Sequence, residues 1–400
     1  MEEMEDLQIL VCDDSALMRN LISKIIDSEP GMKTAATAMN GRFALQKLNF
    51  CKPDAIIMDI EMPEMNGIEF LQEAKKLNID IPVIILSSIA TKGAAVTMQC
   101  LELGASDFIT KPNGSVSSNI NQVANTLIEK IASYGGTYAR KKGKKVYPFD
   151  FFMHQLKFRQ VQEATAKEGL EEKVQIKPSD IEIPASLWKR PAEKKEPAII
   201  NPLRECGQIE VCAIGISTGG PNALREVFSK IAPDFEVPIL VVQHMPAGFT
   251  KEFAASLDRI CPLEVKEAQD GDIVKKGRIL IAPGDYHIYV EKKSLATIVR
   301  LSQDEQRNGH RPSADVLFES VAQVYKNNAL GVIMTGMGRD GASALAKMRK
   351  EGAWTLGQDE KTSIVYGMPK VAWELGAVQK QVSLENMAGE ISSLVHQHHA

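Results

Sequence analysis

Two doubly wound parallel-sheet α/β domains joined by a long linker are what the 400-residue sequence predicts, and three observations predict them. Short apolar runs alternate with amphipathic stretches from the N-terminus to about residue 130. The same alternation resumes near residue 206, and this βαβα rhythm builds parallel sheets that bind ligands at the carboxyl ends of their strands. Between the two stretches, from about Tyr134 to Glu205, periodicity is lost while charged residues and prolines accumulate. The expected division is a first domain over 1–133, a largely irregular linker over 134–205 and a second domain over 206–400.

In the first domain Gln8–Cys12, Ala55–Met58, Val83–Leu86 and Phe108–Thr110 are near-continuous apolar runs, as expected of strands covered on both faces. Ser15–Ser28 and Gly67–Leu77 carry helical spacing between them. In the second domain Val211–Ile216, Ile239–Val242, Ile279–Ala282 and Gly331–Met334 are the predicted strands, and Pro221–Ile231 and Gly341–Glu351 the crossover helices. Pro221 suits a helix's first turn, where a missing N–H costs nothing.

Composition narrows the function classes. Forty-seven Lys+Arg against 51 Asp+Glu leave a net charge of −4, without the basic surplus a nucleic-acid binder needs. No secretory signal precedes the first strand and no apolar run is long enough to span a bilayer, so a cytoplasmic protein without membrane insertion is expected. The six cysteines are scattered and include no C-x-x-C, the pattern of reduced, buried thiols.

Acidic residues collect where the strands of the first domain should end. Asp13 and Asp14 follow the first strand and Asp59 the second apolar run. Three converging carboxylates repel one another unless a cation neutralises them, and hard oxygen ligands favour Mg²⁺. Ser87 and Ser88 end the next strand, and Lys111-Pro112 follows the last. This pattern resembles a response-regulator receiver domain over about residues 7–130. The resemblance implies that Asp59 is the phosphorylated residue and that Ser87 and Lys111 contact the phosphoryl group. It places Mg²⁺ on Asp13, Asp14, Asp59 and the backbone carbonyl of Glu61. It further implies a cis Lys111-Pro112 bond and a switch role for Phe108.

The second domain repeats the theme with different chemistry. Gly215-Ile216-Ser217-Thr218-Gly219 matches G-x-S-x-G, a serine on a strand-to-helix turn, although such turns also bind phosphate or simply cap helices. His244 stands where the Ile239–Val242 strand stops, and Asp340 lies in the glycine-rich loop Thr335–Gly341. Taken alone, the histidine reads as structural and the aspartate as a helix cap. Together, three strand ends deliver Ser, His and Asp to one sheet edge, which is what a nucleophilic triad requires. Their chain order differs from the Ser, Asp, His order of nucleophile-elbow hydrolases, so a different fold is expected.

A receiver-like domain, a linker, and ISTGGP, QHM and TGMGRDG together resemble the chemotaxis protein-glutamate methylesterases of the CheB family. Ala282–His287 and His310–Asp315 agree as well. The resemblance implies a hydrolase that removes γ-methyl esters from glutamates of methyl-accepting chemoreceptors and deamidates certain glutamines. Ser217 would be the nucleophile, His244 the base and Asp340 its orienting acid, with Thr218 and the Met337 N–H stabilising the transition state. The reaction would need no cofactor, Mg²⁺ serving only phosphorylation by a chemotaxis histidine kinase. The expected control is that the unphosphorylated receiver packs over the cleft of the second domain and that phosphorylation of Asp59 loosens it. His287 and His310 read as packing or loop-anchoring groups. Two rivals stay open: a phosphorylation-gated scaffold with a silent second domain, and a serine hydrolase of another esterified protein.

In the linker, Arg140, Lys141, Lys142, Lys144 and Lys145 precede Tyr147, Phe149, Phe151, Phe152, Leu156 and Phe158. The run reads first as solvated charges followed by a short helix docked on a neighbouring domain. A docking segment for a partner protein or acidic surface is the alternative, and RNA binding comes last because no RNA-module signature accompanies it. The tail residues His396, His398 and His399 read as a frayed end.

Overall fold

The computed structural model describes residues 4–87, 91–111, 120–167 and 196–399. They form two units, each built on its own parallel sheet.

The first unit carries β1 (Leu7–Cys12), α1 (Ala16–Asp27), β2 (Met32–Ala38), α2 (Gly41–Cys51), β3 (Ala55–Asp59), α3 (Gly67–Lys76) and β4 (Val83–Ser87). After α4 (Thr91–Glu102) the chain continues through β5 (Asp107–Thr110) and α5 (Ile120–Lys130). Every pairing is parallel, in the order β2-β1-β3-β4-β5. The predicted apolar runs are four of these strands; β2 was not predicted, because MKTAATA is neither apolar throughout nor strictly alternating. Helix starts are capped locally: Ser15 accepts from Met18 N–H, and Asn66 forms a reciprocal box with Glu69. The order in which strands are added reverses between β1 and β3, so their carboxyl ends open the crevice where such sheets place ligands.

The boundary expected at residue 133 falls inside continuous helix. Helix α5 passes through a π-turn (Ile131–Gly135) into α6 (Gly136–Lys141), and α7 (Phe149–Lys167) follows. Charge explains this path. Asp107 accepts from Lys130 and Tyr134, Asp80 from Tyr138 and Lys142, and Asp54 from Lys144. Those aspartates stand at or just before the starts of β5, β4 and β3, so Lys130, Tyr134, Tyr138, Lys142 and Lys144 stitch the helical extension along the end of the sheet opposite Asp59. Phe151, Phe152, Met153 and Leu156 are buried, and Tyr147 stacks on Phe151 at 4.4 Å. Gly31 admits this cluster, since a Cβ there would lie 2.6 Å from the Tyr147 ring. The aromatic run is therefore part of the first unit's own core, and Arg159 pairs with buried Glu29. Residues 168–195, the middle of the expected linker, lie outside the described residues.

The second unit has a seven-stranded parallel sheet in the order β14-β13-β12-β6-β7-β9-β8. Its strands are β6 (Val211–Ile216), β7 (Ile239–Gln243), β8 (Glu264–Glu267), β9 (Arg278–Ile281), β12 (Ala329–Ile333), β13 (Trp354–Gln358) and β14 (Lys380–Val382). An antiparallel hairpin of β10 (His287–Lys292) and β11 (Thr297–Ser302) is inserted between β9 and β12. β6 is central, flanked by β7 and β12. Helices Gly220–Phe228, Ala314–Tyr325 and Ala342–Glu351 each bury an apolar face, through Leu224, Phe318 and Leu345 respectively. The C-terminal residues expected to fray instead end an ordered helix, Leu384–His398. There the His398 ring stacks on Trp354 and its carbonyl accepts Ile209 N–H.

Candidate active site

Two groups of side chains gather at strand carboxyl ends, one in each unit. In the first unit oxygens of Asp13, Asp14 and Asp59 lie within 4.8 Å of one another. Asp13 and Asp59 are buried and Asp14 is exposed. Lys111 Nζ stands 2.8 Å from Asp59 Oδ2 and 3.2 Å from Asp13 Oδ2. Burial pushes the Asp59 carboxyl above its ordinary range, and Lys111 only partly offsets this while Asp13 adds to it. Burial also works against the Lys111 ammonium, but Asp59 and Asp13 outweigh it and keep the lysine charged. Three carboxylates against one ammonium leave an excess of negative charge, and an all-oxygen donor set fits a hard divalent cation. Ser87 is fully buried at the end of β4, and its carbonyl accepts Lys111 N–H. Glu61 lies on the exposed segment after β3, and its carboxylate is outside the cluster. Phe108 is buried. Ser88 and Pro112, with the expected cis bond, lie outside the described residues.

In the second unit Ser217 follows β6, His244 follows β7, and Asp340 lies in the loop after β12, so adjacent strands bring them together. His244 Nδ1 is 3.0 Å from Ser217 Oγ, and Nε2 is 2.8 Å from Asp340 Oδ2. The two ring nitrogens serve the opposite partners from those in the serine-protease template. With Nε2–H on the carboxylate, Nδ1 is the lone-pair nitrogen facing the hydroxyl. Gly336 allows the glycine-rich loop to close on the serine, since a Cβ there would lie 2.7 Å from Ser217 Cβ. Thr335 Oγ1 donates to the Thr218 carbonyl at 2.9 Å, tying that loop to the serine turn. Thr218 is buried, and Met337 N–H has no acceptor among the described residues.

Asp340 does not cap the helix that follows it. Its carboxylate accepts instead from Ser313 Oγ (2.6 Å), Ala314 N–H (2.7 Å) and Asn308 Nδ2 (2.9 Å), reaching the N-terminus of helix Ala314–Tyr325. Burial opposes its ionisation, but the donors from His244, Ser313 and Asn308 hold the carboxyl well below the usual carboxylate range. The Asn308 amide also reaches Asp315, whose carboxyl burial pushes up.

His287 is the anchoring group expected, bonded to the Glu305 carbonyl and to Ser313 N–H. His310 stacks flat on His244, centroids 3.9 Å apart, and burial pushes its pKa down to about 4. Ser313 and Asn308 escaped the sequence reading as site residues. Ser313 lies in the stretch His310–Asp315 and Asn308 precedes Gly309, but nothing in one dimension aims either at residue 340.

Comparisons with known proteins agree with this division. Residues 9–118 match the response regulator receiver domain model and residues 212–391 the CheB methylesterase model. The chain is 56% identical over 389 residues to the protein-glutamate methylesterase/protein-glutamine glutaminase of Treponema denticola, covering 97% of this chain and 98% of that one. The protein of the same name from Treponema pallidum is 50% identical over 98% of both chains. Among solved structures, the Thermotoga maritima CheB methylesterase catalytic domain is 37% identical, covers 47% of this chain and 99% of its own, and superposes with a TM-score of 0.46.

Proposed function

The chain belongs to the CheB methylesterase family, with a response regulator receiver domain ahead of the esterase domain, and from that premise we propose that it demethylates chemoreceptors under phosphorylation control. Its substrates are glutamate γ-methyl esters and certain glutamines of methyl-accepting chemoreceptors, reached from the cytoplasm. The observation that carries this reading is the unbroken chain Ser217–His244–Asp340 at 3.0 and 2.8 Å.

His244 Nδ1 takes the Ser217 proton as Oγ attacks the ester carbonyl. The resulting imidazolium is stabilised by Asp340, whose low pKa keeps it an anion. Met337 N–H and the Thr218 side chain receive the developing oxyanion; a single such donor contributes ~2.7–4 kcal/mol. Methanol, or ammonia from a glutamine, leaves with the proton held on His244, and water then hydrolyses the acyl-enzyme. The amide has the poorer leaving group, so ester hydrolysis is the faster reaction.

In the receiver, Asp59 accepts a phosphoryl group from a chemotaxis histidine kinase. Asp13, Asp14, Asp59 and the Glu61 carbonyl would hold Mg²⁺, which neutralises phosphoryl oxygens when bound, while Lys111 and Ser87 contact the transferred group. Methanol release from receptor membranes carrying isotopically labelled methyl groups tests the assignment. Wild type releases label, and Ser217→Ala does not while still accepting phosphate on Asp59. Release from wild type that persists in Ser217→Ala would remove the serine from the reaction; wild type that is silent on receptors would favour another esterified substrate or a scaffold.

A further inference from the structure

Gln243, the last residue of β7, is buried with 2% of its surface exposed, beside rather than within the Ser–His–Asp chain. Its Nε2 donates to the carbonyl of Ser217 at 3.1 Å and to the carbonyl of His244 at 3.0 Å. Both partners are acceptors, so the orientation of the amide is decided: only the NH₂ end can face them. The other end, Oε1, has no hydrogen-bond partner among the described residues and packs on Gly220. A Cβ at residue 220 would lie 1.9 Å from that oxygen. One buried amide thus holds the main chains of the nucleophile and the base, which come from different strands, and a glycine makes room for it.

We propose that Gln243 is a positioning residue that sets the separation of Ser217 from His244, and that Gly220 is glycine in order to admit its side chain. This rests on the esterase reading above. Attack requires the serine hydroxyl to be aligned with both imidazole and substrate, and a misplacement of about 1 Å can lower a rate by ~10²-fold. Gln243→Met keeps the length and apolar volume of the side chain but removes both donors. Gly220→Ala keeps both donors but drives the amide off its seat.

The test uses the full-length protein on labelled receptor membranes, with a serine-reactive phosphonate counting competent Ser217, so that kcat is read per titratable serine. Gln243→Met and Gly220→Ala should each lower kcat per titratable serine by ~10–100-fold with KM little changed. In a Gln243→Ala background, Gly220→Ala should cost much less than it does alone, because the obstructing oxygen is gone. A structural role alone would lower the melting temperature and the count of titratable serine but leave kcat per serine intact, and that result overturns the proposal. An equal cost of Gly220→Ala in both backgrounds overturns it as well, and Gly220→Ala decides the matter by itself if Gln243→Met does not fold. Wild-type protein that neither takes up the phosphonate nor releases methanol would sink the esterase reading instead.

Discussion

Asp340 stays ionised through its neighbours although it is almost wholly buried. A helix N-terminus, a hydroxyl, an amide and an imidazole all donate to it. Replacing the carboxylate by its amide keeps the shape but inverts the preferred tautomer of His244 and sets an NH₂ against buried donors. Asp340→Asn should therefore lower kcat by ~10³–10⁴-fold and stability by about 1–3 kcal/mol in urea unfolding. His310 makes a prediction in pH. Its pKa falls from 6.5 to about 4 on folding, so between those values the unfolded chain binds more protons than the native one. Native stability therefore rises with pH through this window and falls as the solution is acidified. From about pH 7 to pH 5 the loss from this group is on the order of 1–2 kcal/mol. Urea unfolding of His310→Gln should show that much less acid sensitivity than wild type; identical slopes would mean that His310 is not held neutral by its burial against His244.

At the scale of elements, the helical extension after β5 is the main departure from the sequence reading. A basic run followed by aromatics has the composition of a docking or nucleic-acid segment, yet its lysines meet strand-start aspartates and its rings close the first unit's core. Phe152 is fully buried and packs edge-on to Phe151 at 5.3 Å. Phe152→Ala should cost ~3–5 kcal/mol in chemical unfolding of the receiver unit. A fragment ending at residue 133 should accordingly be less stable than one ending at residue 167, and equal stabilities would show that α6 and α7 only decorate the fold. The reason the pairing was illegible is physical: Asp54 and Asp80, which pair with Lys144 and Lys142 of the run, lie more than sixty positions upstream, and Asp107 holds Lys130 and Tyr134 ahead of it, all meeting only along the sheet edge.

For the whole molecule, two chemistries sit at carboxyl ends of two parallel sheets, and the proposed function requires that one govern the other. A phosphoryl group on Asp59 replaces one carboxylate charge by ~1.5–2 negative charges, a net gain of about one, in a pocket that also holds Asp13 and Asp14. Reversing a ~1:99 equilibrium would take ~5.5 kcal/mol of differential stabilisation, so partial activation is expected. A small-molecule phosphodonor with Mg²⁺ should therefore raise methanol release severalfold in wild type and leave Asp59→Asn at its basal rate. Chelation of divalent cations should abolish the stimulation but not the basal rate. Stimulation that survives in Asp59→Asn would separate the receiver's chemistry from control of the esterase.

The sequence by itself determined the two α/β units, their principal strands, and which strand ends carry acids, serine and imidazole. Those features follow from local apolar runs and from residue types placed where runs stop, and both are readable in one dimension. Tertiary structure alone decided which of His244's nitrogens faces the serine, and that Asn308, Ser313 and the start of helix Ala314–Tyr325 surround Asp340. It also decided that Gln243 spans two strand ends and that the linker's aromatics belong to the receiver. Each of these depends on groups tens of residues apart meeting within about 3 Å, a distance set by strand order and side-chain packing rather than by any local pattern.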